Sequence, residues 1–282
     1  MSNQKLHVVI AGGGYAGVKS ALELCKHDRI KVTLVTDYPS MRVYPSLYHT
    51  ATGGSRKVSD VPLKDIFAGK KVTIIYDTAL TIDRSKQELI TKRSGAIHYN
   101  ALVLALGVTT NYFGIEGLAE YSFGIKTLEE AEKLKRHLHT QLLQEGARDT
   151  NYVVVGGGPT GIELAGMLPS YIKKISAYHD LKDKKFHVDL IEAAPRLLPR
   201  MPKSVSRSVA KNLRKQGVKI YTNTIVQAQT ADALIVHGKP IRSHTVVWTA
   251  GMANTNFFKD NNFQRTPNGK VRVDQFLQAE RG

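Results

Sequence analysis

The stretch "VVIAGGGYAGVKSALEL" at 8–24 returns almost unchanged as "YVVVGGGPTGIELAGML" at 152–168, a spacing of 144 from Gly12 to Gly156 (156 minus 12). In the first copy, an apolar run rich in β-branched residues reads as a strand buried on both faces. Gly12, Gly14 and Gly17 follow as G-x-G-x-x-G. Helix formers come next, with Val18, Ala21, Leu22 and Cys25 at helical spacing. "IKVTLVTD" supplies a second strand. Strand, glycine turn, helix and strand within about 30 residues is the context that makes this fingerprint informative. Gly12 is expected to make a tight turn, Gly14 to let a pyrophosphate reach the backbone, and Gly17 to let helix and strand pack closely. The helix start, with Tyr15 and Ala16, adds unpaired N–H groups and partial positive charge. Asp37, 20 residues beyond Gly17 (37 minus 17), stands where an acid binds ribose hydroxyls.

The second copy repeats the device with Gly156, Gly158 and Gly161, Pro159 and Thr160 lying between them. Its helix is expected to break near Pro169. The strand "FHVDLIE" ends at Glu192, 31 residues past Gly161 (192 minus 161), because the polar segment "HDLKDKK" lengthens the connection. A carboxylate there grips a 2′-hydroxyl and repels a 2′-phosphate, which favours NADH over NADPH. Arg196 is the nearby cation that would argue the other way. Two cradles imply two dinucleotides, one passing electrons to the other. Flavin accepts hydride from nicotinamide, so FAD and NADH are the natural pair. The predicted fold is α/β, with two Rossmann-like dinucleotide-binding domains.

Composition narrows the class. The 282 residues are 42% apolar and 23% charged, which suits a soluble globular protein. Cys25 is the single cysteine, so neither an intramolecular disulfide nor a redox-active cysteine pair is available, and a reduced, cytoplasmic setting is expected. No signal-peptide pattern opens the sequence, and no apolar run approaches the ~20 residues of a membrane helix. A net charge of +16 fits a soluble basic surface or docking on anionic lipid. Nucleic acid is set aside, since no zinc knuckle, RNA-recognition signature or helix-turn-helix spacing is present.

Four further motifs carry a resemblance. These are "GGGPTGIELAG" at 156–166, "EAAPRLLP" at 192–199, "ALGVTTNYFGIEG" at 105–117 and "PSLYHTATG" at 45–53. Together they resemble the two-dinucleotide flavoprotein reductases, and more narrowly the type II NADH dehydrogenases, the non-pumping NADH:quinone oxidoreductases, along nearly the whole chain. The resemblance implies an FAD domain over 1–112 and 246–282, interrupted by an NADH domain over 113–245. "YNALVLALG" at 99–107 and "HTVVWTAG" at 244–251 would be the crossover strands. It implies FAD at Gly12, Gly14, Tyr15, Ala16, Gly17, Thr36, Asp37, Tyr44, Pro45, Leu47, Ala105 and Gly107. It implies NADH at Gly156, Gly158, Pro159, Thr160, Gly161, Glu192, Ala250 and Gly251. Glu163 would orient nicotinamide against flavin; the physical alternative is a carboxylate favoured by the helix dipole. Tyr44, Pro45 and Leu47 would lie along the flavin ring, or else form a rigid turn.

The implied function is hydride transfer from NADH to FAD, then two-electron reduction of a quinone by a peripheral membrane enzyme. The implied partners are NADH, a quinone and an anionic membrane surface, with a homodimer also compatible. Departures accompany the likeness. The usual acid at the end of the second strand is Thr36 here, with Asp37 one later. After "PNGKVRVD" at 267–274 the family's Gly-Asp strand, quinone-site helix and amphipathic membrane segment are missing. A fragment with weak FAD binding is therefore expected. A ferredoxin-type reductase, a sulfide:quinone reductase and an NADH-responsive binding module remain as alternatives. Elsewhere, "TLEEAEKLKRHLHTQLLQEG" reads as an amphipathic helix with Thr127 and Glu130 as its capping box and Gly146 as its stop. "SVSRSVAKNLRKQGVKI" reads as a basic helix ending near Gly217. His137 and His139 fall on different helix faces, no metal constellation is evident, and Trp248 reads as core or as the edge of a ligand cleft.

Overall fold

The structure is a computed structural model that describes residues 5–143, 151–181 and 185–279. The chain divides into two compact units: residues up to Val43 with Asp60–Thr109 and those from Met252 onward, and Tyr44–Ser59 with Thr110–Gly251.

In the first unit, β1 (Leu6–Ala11), α1 (Tyr15–Leu24), β2 (Ile30–Thr36), β3 (Val72–Tyr76) and β7 (Ala101–Leu104) build a parallel sheet in the order β3-β2-β1-β7. An antiparallel meander of β4 (Ala79–Asp83), β5 (Glu88–Thr91) and β6 (Ala96–His98) precedes the return strand β7. Both faces of the sheet are covered. Val8, Ile10, Val32 and Leu34 pack with Val18, Ala21, Leu63 and Phe67, while Val9, Ala11 and Val35 pack with Leu89, Tyr99 and Phe257. This double burial is why the strands read as continuous apolar runs.

The second unit repeats the wiring. β8 (Asn151–Val155), α4 (Pro159–Tyr178), β9 (His187–Ile191), α5 (Lys203–Lys215) and β10 (Val218–Tyr221) precede a meander of β11 (Val226–Gln229), β12 (Ala233–Val236) and β13 (Lys239–Arg242). Strand β14 (Thr245–Trp248) then returns, giving the parallel order β10-β9-β8-β14. The fold is α/β with two Rossmann-like units.

Three expectations change. The inserted domain was expected over 113–245, but β14 pairs with β8 (Val154 opposite Val247), so "HTVVWTAG" belongs to the second sheet. Residues 44–59 also join this unit. Helix α2 (Leu47–Ala51) buries Leu47 and Ala51 in the core that holds Leu168 and Ile172 of α4, and Leu128 and Leu134 of α3 (Leu128–Leu143). Lastly, α4 does not break at Pro169. It runs unbroken for 20 residues because Leu164, Ala165, Leu168, Tyr171, Ile172 and Ile175 bury one face around the proline. That burial outweighs the lost hydrogen bond and the ring's clash with the preceding turn, which together cost about 3 kcal/mol.

The capping box forms as read. Glu130 Oε2 accepts from the N–H of Lys126 (2.6 Å) and Thr127 (3.0 Å), and Thr127 Oγ1 accepts from Glu130 N–H (3.1 Å). Gly146 lies outside the described residues. Helix α5 ends before Gly217, whose φ of +90° makes the stop. Trp248 is core, with its indole N–H bonded to Asn111 O at 2.9 Å.

Candidate functional site

At the carboxyl end of the first sheet, Gly12 adopts φ +111° and its N–H bonds Val35 O at 2.8 Å. A Cβ on Gly12 would strike the Ala105 carbonyl, and one on Gly17 would strike the Gly12 carbonyl, so glycine is required at both. Gly14 has nothing within 4 Å of its missing Cβ, which leaves a gap beside the turn. Helix α1 starts there with no side-chain cap and no acid in its first turn. Tyr15 and Ala16 are exposed around its free N–H groups. Ala105 N–H bonds Ala11 O at 2.7 Å, and Gly107 turns away with φ +72°.

The second sheet ends the same way. Gly156 has φ +117°, and its N–H bonds Ile191 O at 2.8 Å. A Cβ on Gly161 would strike the Gly156 carbonyl, and Gly158 faces open space. Pro159 opens α4, Thr160 follows half-buried, and again neither a side-chain cap nor a first-turn acid is present. Thr249 N–H bonds Val155 O at 2.8 Å, and its hydroxyl bonds the same carbonyl at 2.8 Å. Half-buried Ala250 precedes Gly251, which turns at φ +78°. Thr249 and Gly251 stand 144 residues beyond Ala105 and Gly107 (249 minus 105, 251 minus 107). The sequence reading missed Thr249, whose signal was this shared spacing.

The register fixes a further equivalence. Val35 and Ile191 accept from Gly12 and Gly156, so Thr36 corresponds to Glu192. Half-buried Glu192 uses Oε2 to accept from Gly157 N–H (2.5 Å) and Oε1 to accept from Ala194 N–H (2.7 Å). A carboxylate has about four lone-pair sites, so roughly two stay free for hydroxyls. Thr36 is buried and offers only its hydroxyl. Asp37 is exposed and makes no hydrogen bond or ion pair among the described residues. Arg196, the cation that argued for a 2′-phosphate, donates instead to the Leu198 (3.1 Å) and Pro199 (2.5 Å) carbonyls. Leu198 in turn donates its N–H to Gly157 O at 2.9 Å, tying this loop to the glycine turn.

Two readings need correction. Glu163 is the fifth residue of α4, past the first turn where the dipole acts, so the dipole explanation fails. It is solvent-accessible, has no hydrogen-bond or ion-pair partner among the described residues, and local desolvation raises its carboxyl above the usual value. Leu47 cannot line a ring with its side chain, which is fully buried in the second unit's core. Its neighbour Tyr44 is exposed, in a helical turn shared with Pro45. His137 bonds Thr245 Oγ1 at 2.8 Å, and burial lowers its pKa to about 4. His139 instead bonds Tyr171 Oη at 2.9 Å. No group of three metal-ligating side chains occurs among the described residues.

A family model described as pyridine nucleotide-disulphide oxidoreductase matches residues 6–281. The chain is 26% identical to the type II NADH:quinone oxidoreductase of Staphylococcus saprophyticus, with 99% of this chain and 73% of that protein aligned. The Staphylococcus epidermidis counterpart is 28% identical over the same shares. Among solved structures, NDH2 from Plasmodium falciparum in complex with NADH superposes with a TM-score of 0.86 at 19% identity, a likeness of fold. The chain covers 60% of that structure, and 96% of this chain is matched. The covalent putidaredoxin reductase–putidaredoxin complex gives a TM-score of 0.77 at 25% identity, with 98% of this chain and 65% of that one covered.

Proposed function

The chain belongs to the pyridine nucleotide-disulphide oxidoreductase family, and from that premise we propose that it holds FAD at Gly12–Gly17 and NADH at Gly156–Gly161 and works as an NADH:quinone oxidoreductase. The observation that carries this reading is the pair of equivalent strand ends. Two cradles built alike, one ending in Thr36 and the other in Glu192, suit two dinucleotides in one chain. The gaps at Gly14 and Gly158 leave room for a diphosphate against each helix start. The names of the staphylococcal relatives support quinone as the acceptor.

When bound, FAD supplies the hydride acceptor and NADH the hydride donor. The chain's own work is positional. The first-turn N–H groups of α1 and α4 hold the diphosphates. Glu192 selects the unphosphorylated ribose, and Arg196 is occupied by backbone carbonyls and cannot counter it. Ala105 and Gly107, like Ala250 and Gly251, turn the chain at the sheet ends. Glu163, solvent-accessible and unpaired among the described residues, is a side chain free to orient the reactants. No acid–base triad is required, because most of the barrier reduction comes from alignment.

An anionic membrane surface is the proposed docking partner. Lys203, Arg207, Lys211 and Lys215 repeat every four residues along α5, all exposed and without ion pairs among the described residues. Each cation near an anionic bilayer contributes about 1 kcal/mol. No helix of the described residues is long and apolar enough to cross a membrane.

The test mixes the protein with FAD, NADH and a quinone analogue while flavin absorbance is followed. Bleaching by NADH and recovery on adding quinone are expected. Flavin that stays oxidised overturns the dehydrogenase reading. Recovery with a ferredoxin but not with quinone assigns the chain to the ferredoxin-type reductases.

A further inference from the structure

The first cradle lacks the strand-end carboxylate of the second, and a cation stands beside the vacant role. Thr36 crowds the backbone of Gly13, with its Oγ1 2.6 Å from where a Cβ would sit. Two residues on, Tyr38 N–H points to Thr36 Oγ1 at 3.4 Å. The Arg42 guanidinium lies over the Tyr38 ring, 3.2 Å from its centroid. Gly13, Thr36, Tyr38 and Arg42 therefore form one contiguous layer at the carboxyl end of β1 and β2.

Arg42 Nη2 is buried and has no hydrogen-bond partner among the described residues. The acid opposite Arg42 in its short ladder is Asp60, which accepts from the Ser40 hydroxyl and makes no ion pair with Arg42. A buried charged donor without an acceptor is costly, and where one is retained a water, an ion or a ligand supplies the acceptor. Guanidinium planes also stack on nucleobases as readily as on aromatic side chains.

We propose that Tyr38 and Arg42 form a subsite for the adenosine half of the dinucleotide held by the first cradle, with the guanidinium donating to a ribose or phosphate oxygen. The first cradle thus grips adenosine with a cation where the second uses the Glu192 carboxylate. The two should treat a ribose phosphate oppositely: the second cradle rejects it, and the first accepts it.

This inference rests on the FAD assignment above, and its test separates the two. FAD affinity of the full chain is measured by quenching of flavin fluorescence for wild type, Arg42→Lys and Arg42→Met. Thermal midpoints are recorded with and without FAD. Arg42→Met is expected to weaken FAD about 10- to 100-fold, the range of a charge-assisted hydrogen bond. Arg42→Lys should fall between, having charge without the planar fork. NADH affinity should not change. Without FAD, Arg42→Met should melt no lower than wild type, since it removes an unpaired donor. A merely structural cation–π role would lower that midpoint and leave FAD affinity intact, which overturns the proposal. In a second arm, 2′,5′-ADP should displace FAD from wild type at least as well as 5′-ADP and lose that parity in Arg42→Met; weaker displacement by 2′,5′-ADP from wild type also counts against it. A wild-type chain that binds no FAD sinks the flavin assignment itself, whereas equal binding by wild type and Arg42→Met sinks the subsite alone.

Discussion

The two glycine cradles are the same machine with one part exchanged. Both place glycine at φ above +110° beneath the return strand, both start a helix without a cap, and both turn away at a second positive-φ glycine. They differ at the end of the second strand. There Glu192 is braced by two backbone N–H groups, whereas Thr36 is a neutral hydroxyl with Tyr38 and Arg42 beside it. The shared parts serve what all dinucleotides have in common, a diphosphate. The exchanged part lies at the strand end, where a carboxylate tells an unphosphorylated ribose from a 2′-phosphate, a contrast between NADH and NADPH rather than between FAD and NADH.

The hardest blow to this comparison is a methyl group. Gly161→Ala drives a Cβ into the Gly156 carbonyl and is expected to weaken NADH ~100-fold, the upper end of the 1–3 kcal/mol overpacking range, while FAD affinity is kept. Gly17→Ala should do the reverse. Titration of each ligand against each variant checks both, and loss of both ligands in either variant would mean the cradles are not independent. Next in size, Glu192→Gln should weaken NADH about 10-fold or more and narrow the preference over NADPH, read from the ratio of kcat/KM values. Asp37→Asn, changing an exposed acid with no partner among the described residues, should alter FAD affinity less than about threefold. A larger loss would return the adenosine grip of the first cradle to Asp37.

A smaller asymmetry is built into pH. Burial holds His137 at about 4 in the folded second unit, below its ordinary 6.5. The unfolded chain binds the extra proton first, so this contribution is whole above about pH 6.5. It is lost as pH falls toward 4 and changes no further below that. Thermal midpoints across pH 4–7 should decline less in His137→Phe than in wild type. The smallest effect belongs to the capping box: Thr127→Ala should cost about 1 kcal/mol, a few degrees of melting temperature.

Much of this was legible before any fold was drawn. The cradles could be read because G-x-G-x-x-G reports local backbone demands, and a turn, a close approach and a helix start all lie within six residues. The capping box was legible for the same reason. Pro169, Leu47 and Arg196 were not. Whether a proline breaks a helix depends on how much apolar surface the flanking turns bury. Whether Leu47 meets a ligand depends on α3 and α4, distant in sequence. Whether Arg196 can meet a phosphate depends on two carbonyls that its own loop brings back to it. The boundary near 245 moved because strand pairing assigns β14 to the second sheet.

The sequence by itself determined that this chain carries two dinucleotide cradles in an α/β fold, because glycine spacing and strand–helix periodicity are set by short-range sterics. Only the tertiary structure decided that Thr36 occupies the place of Glu192 and that residues 44–59 serve the second unit's core. Those facts depend on register and packing between segments far apart in the chain, which no local pattern encodes.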